Sequence, residues 1–117
     1  MYSNASKARL LMKLANAARL EILEITSERE TSVNELAVRL DMSQSAVSQH
    51  LARLRAGGLV TTRRDAQTVY YHCENSGVHR VLEILNEIFS PEFDAANGAI
   101  LIGSASSLPK TLFGKGR

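Results

Sequence analysis

Ser43-Gln44-Ser45-Ala46-Val47-Ser48-Gln49-His50-Leu51-Ala52-Arg53-Leu54-Arg55 is the stretch whose reading decides the fold. Placed on a helix at about 100° per residue, Val47, Leu51 and Leu54 share one narrow stripe, while Ser45, Ser48, Gln49 and Ala52 take the opposite side. The outer side carries short hydrogen-bonding groups near the N-terminus and arginines near the end, with no acidic residue anywhere in the stretch. Amide and hydroxyl groups suit base edges and guanidinium groups suit phosphates, which is the chemistry a duplex groove asks for.

The residues on either side complete a unit. Before it, Ser32-Val33-Asn34-Glu35 matches a capping box and predicts a short helix with Val33, Leu36, Ala37 and Leu40 inward. Asp41-Met42 makes a brief turn, and Ser43 caps the next helix, so the pair reads as a helix-turn-helix. After it, Ala56-Gly57-Gly58 stops the helix. The period then changes to that of strands, in Leu59-Val60-Thr61-Thr62-Arg63-Arg64 and Thr68-Val69-Tyr70-Tyr71-His72-Cys73, with Asp65-Ala66-Gln67 as a tight turn. A helix-turn-helix followed directly by a β-hairpin is a winged helix, so the expected fold class is mainly α with a small β-hairpin.

Two helices precede this unit. Ser6 to Leu14 is apolar over a broad face, and Asn16 offers an N-cap for a second helix over Ala17 to Ile25. Behind the wing, where Asn75 or Ser76 can cap, Val78, Val81, Leu82, Leu85, Ile88 and Phe89 recur at steps of three or four up to Pro91. A small winged domain closes its core with its earlier helices, so this further stripe asks for a partner. Leu10, Leu11 and Leu14 of the first helix, with Val78, Val81, Leu82, Leu85 and Phe89 of the last, are therefore assigned to a two-fold homodimer interface. Residues 1–91 form the winged helix-turn-helix DNA-binding and dimerisation domain. Residues 92–117 are expected as a tail, loosely ordered or packed on the dimer.

With 117 residues, 44% of them hydrophobic, the chain suffices for one packed domain with such a tail. Its 14 basic and 12 acidic residues give a net charge of only +2, but Met42 to Arg64 holds Arg53, Arg55, Arg63 and Arg64 and no carboxylate. Partner choice is thus read from charge distribution rather than from the total. Gln44, Ser45, Ser48 and Gln49 are expected as base or phosphate contacts, Arg53, Arg55, Arg63 and Arg64 as electrostatic ones, and Gln67 at the wing tip as a phosphate or minor-groove contact. His50, about 60° from the buried stripe, reads as a packed or capping residue.

Other chemistries find little support. There is no Ser-His-Asp set, no glycine-rich phosphate loop and no paired carboxylates in a pocket-like context, so no enzyme is expected. His72, Cys73 and His79 are near one another but lack a fourth ligand, so no metal and no cofactor is expected. The single cysteine, Cys73, excludes an intrachain disulfide and points to a reducing compartment, with a redox switch at Cys73 as an alternative reading. No apolar run nears the roughly 18 residues of a membrane span, and the first residues lack a signal-peptide order, so a cytoplasmic protein is expected. An interaction module that had abandoned DNA would carry acidic or apolar groups on the outer face of the Ser43–Arg55 helix, and none is there.

From about Leu11 to Phe89 the chain resembles the arsenic-repressor (ArsR/SmtB) family of bacterial winged-helix regulators. The resemblance lies in Lys13-Leu14-Ala15-Asn16 with Arg19-Leu20-Glu21-Ile22-Leu23, in Ser43 to Leu51, in Leu54-Arg55 and Gly58-Leu59-Val60, and in Arg63 to Tyr71. The Ser-Gln-Ser run and the Ala-Gln-Thr-Val-Tyr-Tyr wing are most similar to its nodulation-repressor and haemolysin-activator subgroup. The resemblance implies a homodimer that holds a palindromic operator in double-stranded DNA, more often as a repressor, with activation by displacing another repressor as the alternative. The family's metal-sensing sites do not carry over, because Ala37-Val38-Arg39 stands where thiol sensors place cysteines, and Val78 and Phe89 stand where zinc sensors place histidines, and no metal or small-molecule inducer is evident.

Overall fold

The computed structural model describes residues 2–98. Helix α1 (Asn4–Leu14) begins two residues before the expected start because the Ser3 side chain accepts from Ser6 N–H at 3.2 Å. Asn16 caps α2 (Ala17–Glu28) in the same way, accepting from Arg19 N–H at 3.0 Å. This helix runs on to Glu28, about a turn beyond the expected end at Ile25. Thr26 is fully buried there, and its hydroxyl donates to the Ile22 carbonyl at 2.8 Å, so the threonine is tolerated inside a helix by bonding back to its own backbone.

Strand β1 (Thr31–Ser32) leads into α3 (Val33–Leu40). The cap of α3 forms on one side only. Ser32 Oγ accepts from Glu35 N–H at 3.2 Å, while the Glu35 carboxylate is taken by the Arg29 guanidinium. The turn to the next helix rests on Asp41, whose φ of 56° is left-handed. Its N–H donates to Val38 O at 3.2 Å and Met42 N–H donates to Ala37 O at 3.0 Å, the paired bonds that close a helix with a left-handed residue.

Helix α4 (Gln44–Ala56) is capped by Ser43 Oγ, which accepts from Ala46 N–H at 3.0 Å. It ends in a second closure of that kind, with Leu59 N–H on Leu54 O at 2.9 Å and Gly58 N–H on Arg55 O at 3.0 Å. Here Gly58, at φ 76°, takes the left-handed position that glycine occupies without a Cβ penalty. Leu54 and Leu59 are both buried, which pins the exit of the chain to the core.

The wing follows as β2 (Thr61–Asp65) and β3 (Thr68–His72), antiparallel with Asp65 opposite Thr68. Only Ala66 and Gln67 lie in the loop between them. Leu59 and Val60, expected in the first strand, are buried before it begins. Strand β1 pairs on the other side of β3, Thr31 opposite Tyr71, giving a three-stranded sheet in the order β1-β3-β2. Two residues carry no period, so β1 leaves no trace in the sequence pattern.

Helix α5 (Ser76–Ile88) is capped by Asn75. Pro91, expected to mark only the end of this helix, instead opens α6 (Pro91–Asn97). Ser90 caps α6 from Phe93 N–H at 3.2 Å, Pro91 occupies a position where its missing N–H costs nothing, and Glu92 and Asp94 stand in the first turn. Expectations for residues 99–117 lie outside the described residues. The core is built from Ile22, Leu23, Leu36, Val47, Leu51, Leu54 and Val78, so that α2, α3, α4 and α5 all contribute to it.

Candidate nucleic-acid interface

The apolar stripe of α4 is wholly inside: Val47, Leu51 and Leu54 are each fully buried. That anchorage forces the opposite side outward. Gln44, Ser45, Ser48, Gln49, Ala52, Arg53 and Arg55 are all exposed, so the polar and basic side chains named from the sequence lie together along one open helix face. Ser43 frees the N-terminal end for approach, because the cap uses its own hydroxyl and leaves Gln44 and Ser45 outward.

The wing brings Arg63, Arg64 and Gln67 to the same molecule's edge, all three exposed. Their environments differ. Arg63 is not an open cation: its Nε donates to both Glu30 oxygens at 3.0 and 2.9 Å, its Nη2 lies 2.9 Å from Glu30 Oε1, and its guanidinium sits 5.0 Å from the Tyr70 ring centroid. Hydrogen bonding to Arg63 holds the Glu30 carboxyl below its ordinary range, and the same bond raises the Arg63 guanidinium further. Glu30 was absent from the sequence-based site, since nothing local marks a partner 33 residues away. Gln67, with Thr68 and Val69, lines a cleft of about 250 Å³ against Ser32, Val33 and Asn34 at the start of α3.

His50 is packed, as its position beside the stripe implied. Its half-buried ring meets Arg19, whose Nη1 lies 3.3 Å from His50 Nδ1. Arginine carries donors only, so Nδ1 accepts and the ring is the neutral form. Burial first, then the charges of Arg19 and Arg53, hold His50 below its ordinary range.

The proposed association surface divides in two. Leu14, Val78 and Leu82 are buried in the chain's own core. The core of the single chain thus draws on α5 more deeply than the stripe alone suggested. Leu10, Val81 and Leu85 are half-buried, while Leu11 and Phe89 remain 57% and 55% exposed. Met12 and Ile84, not named from the sequence, are 69% and 46% exposed. Ile84 shares a helical stripe with Val81 and Ile88, which is the signal that would have found it.

Cys73 is fully buried, and its N–H donates to Thr26 O at 3.0 Å. A redox switch needs an accessible thiol, and the folded chain does not offer one at Cys73. His79 Nε2 is 2.8 Å from the Cys73 carbonyl and His72 pairs with Glu74 at 3.5 Å, so these side chains do not converge. Among the described residues no group of three His, Cys, Asp or Glu side chains is placed to hold a metal ion, and no helix is long and apolar enough to cross a membrane.

A capped, outward-facing polar helix in a helix-turn-helix, flanked by a hairpin wing, defines a winged helix-turn-helix DNA-binding transcriptional regulator. Residues 16–62 match the family model of bacterial regulatory proteins of the arsR family. The chain is 48% identical over 90 residues to the transcriptional activator HlyU of Vibrio cholerae, covering 76% of this chain and 83% of that protein. It is 43% identical over 95 residues to the nodulation protein NolR of Rhizobium meliloti, covering 81% and 78%. The solved structure of the transcriptional repressor BigR from Xylella fastidiosa superposes with a TM-score of 0.70 at 31% identity, over 74% of this chain and 89% of that one. The chain therefore belongs to the arsR family, close to the group that contains HlyU and NolR.

Proposed function

We propose that this regulator acts as a homodimeric repressor that occupies a palindromic operator. Two copies of α4 enter successive major grooves, about 34 to 36 Å apart along the duplex. The observation that carries the reading is the partition of α4: Val47, Leu51 and Leu54 are fully buried and its amide, hydroxyl and guanidinium groups are all on the open side. Gln44, Ser45, Ser48 and Gln49 are the base-reading or phosphate-positioning groups. Arg53, Arg55 and Arg64 supply charge, and Gln67 reaches the backbone or minor groove from the wing tip.

The experiment is selection of bound fragments from genomic DNA, followed by binding of the selected duplex and of a random duplex over a range of salt. A palindrome should emerge, with affinity falling steeply as salt rises. Gln49→Ala should lose on the order of 1 to 3 kcal/mol of discrimination while random-duplex binding stays near its starting value. Equal losses on both duplexes would remove Gln49 from the readers, and a flat salt dependence would remove the phosphate contacts. A second reading, activation by displacing another repressor, is favoured by the activator name of the Vibrio relative. Transcription from the selected promoter with and without the protein separates the two.

A further inference from the structure

The sequence connects α1 to the DNA-reading helix by nothing visible, yet one side chain in the structure spans the gap. Arg19, on the first turn of α2, donates from Nε to Lys13 O at 2.7 Å and from Nη2 to Met12 O at 3.2 Å. Its remaining arm, Nη1, reaches His50 Nδ1 on α4 at 3.3 Å. Met12 and Lys13 lie in the last turn of α1, where the helix dipole is negative, and the guanidinium joins the Ala15 N–H, 3.4 Å away, on the Met12 carbonyl. The guanidinium therefore closes one helix while gripping another. A lysine, with a point charge in place of a planar fork, cannot reach both ends in that geometry.

A second contact runs beside the first. A Cβ built on Gly57, at the C-terminal end of α4, would stand 2.9 Å from Lys13 Cε, so the stem of Lys13 lies directly over that end of the helix. Met12 joins the two functions in one residue: its side chain faces outward, 69% exposed, and its carbonyl holds Arg19. Any change in what packs on the outer face of α1 is thus one peptide unit from the group that fixes the flank of α4. His50 itself lies between the buried Val47–Leu51 side and the exposed Gln49 and Arg53.

We infer that Arg19 is a positioning residue for DNA recognition, setting the orientation of α4 against the last turn of α1. It touches no base in this arrangement and acts through His50. The inference rests on α4 being the helix that reads the groove.

Arg19→Lys keeps the charge and removes the fork. In the full-length protein, at a temperature where circular dichroism shows complete folding, its affinity for the selected duplex should fall about tenfold, the scale of one charge-assisted hydrogen bond. Affinity for a random duplex and the salt slope should stay unchanged, because the cation count is the same. His50→Ala, which removes the acceptor on α4, should lower the specific-to-random ratio similarly, and the double variant should lose no more than either alone. A purely structural arginine would lower the melting temperature and leave the specific-to-random ratio intact, and that result overturns the inference. If Arg19→Lys does not fold, an undiminished ratio in His50→Ala overturns it equally. Should Gln49→Ala also leave the ratio intact, the groove-reading assignment of α4 has failed. If Gln49→Ala loses discrimination while both Arg19→Lys and His50→Ala keep it, only the positioning role has.

Discussion

At His50 two guanidinium groups face one half-buried imidazole, and the consequence is a signed pH dependence. Its folded value is depressed by burial and by Arg19 and Arg53, whereas the unfolded chain titrates near the ordinary histidine value of about 6.5. Above that pH both states carry a neutral ring and the stabilising contribution is fully present. As pH falls, the unfolded chain takes up the proton first, so stability is lost progressively down through the depressed folded value. Melting curves at about pH 8 and about pH 5 should show a larger fall for the parent than for His50→Gln, which keeps an acceptor for Arg19 and does not titrate. Parallel falls would place the titrating group elsewhere. Ala66 carries a different cost. With φ at 57° in a two-residue loop, it pays about 1 to 2 kcal/mol for a left-handed Cβ. Ala66→Gly relieves that cost and gives back about 0.4 to 1 kcal/mol through a freer unfolded chain. The net should be a melting temperature higher by a few degrees at fixed protein concentration, since about 1 kcal/mol moves a domain of this size by roughly 4 to 8 °C. A lower melting temperature would show that the Ala66 methyl makes contacts worth more than the strain.

Among the elements, the wing shows why a count of arginines misjudges a phosphate-binding surface. Arg63 and Arg64 are neighbours in sequence and both exposed, but Arg63 is clamped on Glu30 and stacked on Tyr70. Both partners are exposed and solvent screens the pair, so the clamp biases Arg63 without locking it. Arg64→Ala should weaken binding to all duplexes alike and flatten the salt slope by about one. Arg63→Ala should flatten it less, because Glu30 already offsets part of that charge. Glu30→Gln, by releasing Arg63, should steepen it. Equal slopes for Arg63→Ala and Arg64→Ala would mean that DNA breaks the Glu30 pair at no cost. The same contrast marks what was legible beforehand. Caps at Asn16, Ser32 and Ser43 act over three residues, and the sequence places each one where the structure has it, while of the two candidates it offers for the last helix, Asn75 and Ser76, the structure uses Asn75. The face of α4 was legible because burial and exposure alternate within a single helix. Glu30 with Arg63 and Arg19 with His50 join residues 33 and 31 apart, and no local period encodes such pairs. Pro91 was ambiguous for a physical reason: a proline ends one helix and starts another equally well, and only the Ser90 cap beside it decides.

For the whole molecule, the apolar residues of α1 and α5 have to be divided between a core and a surface. A stripe on a helix does not reveal how much of it the chain's own fold consumes. Here Leu14, Val78 and Leu82 are consumed, and Leu11, Met12, Ile84 and Phe89 are left outside on the two helices assigned to self-association. Burying side chains of this size is worth about 1.5 to 3 kcal/mol each, so several together supply a driving force that a monomer leaves unused. The division makes two kinds of substitution distinguishable. Ile84→Glu or Met12→Glu should leave circular dichroism intact and shift sedimentation towards a monomer, while Val78→Glu should unfold the chain, since a charge there enters the core with no partner. Loss of the dimer should in turn weaken binding to a two-half-site duplex by roughly 10² to 10⁴-fold, the gain that linking two sites normally provides, and leave half-site binding nearly unchanged. An Ile84→Glu protein that sediments as a dimer would move the interface off α5. One that is monomeric yet binds both duplexes with equal affinity would show that each subunit reads its half-site alone, and that the two-fold operator is not what the dimer is for.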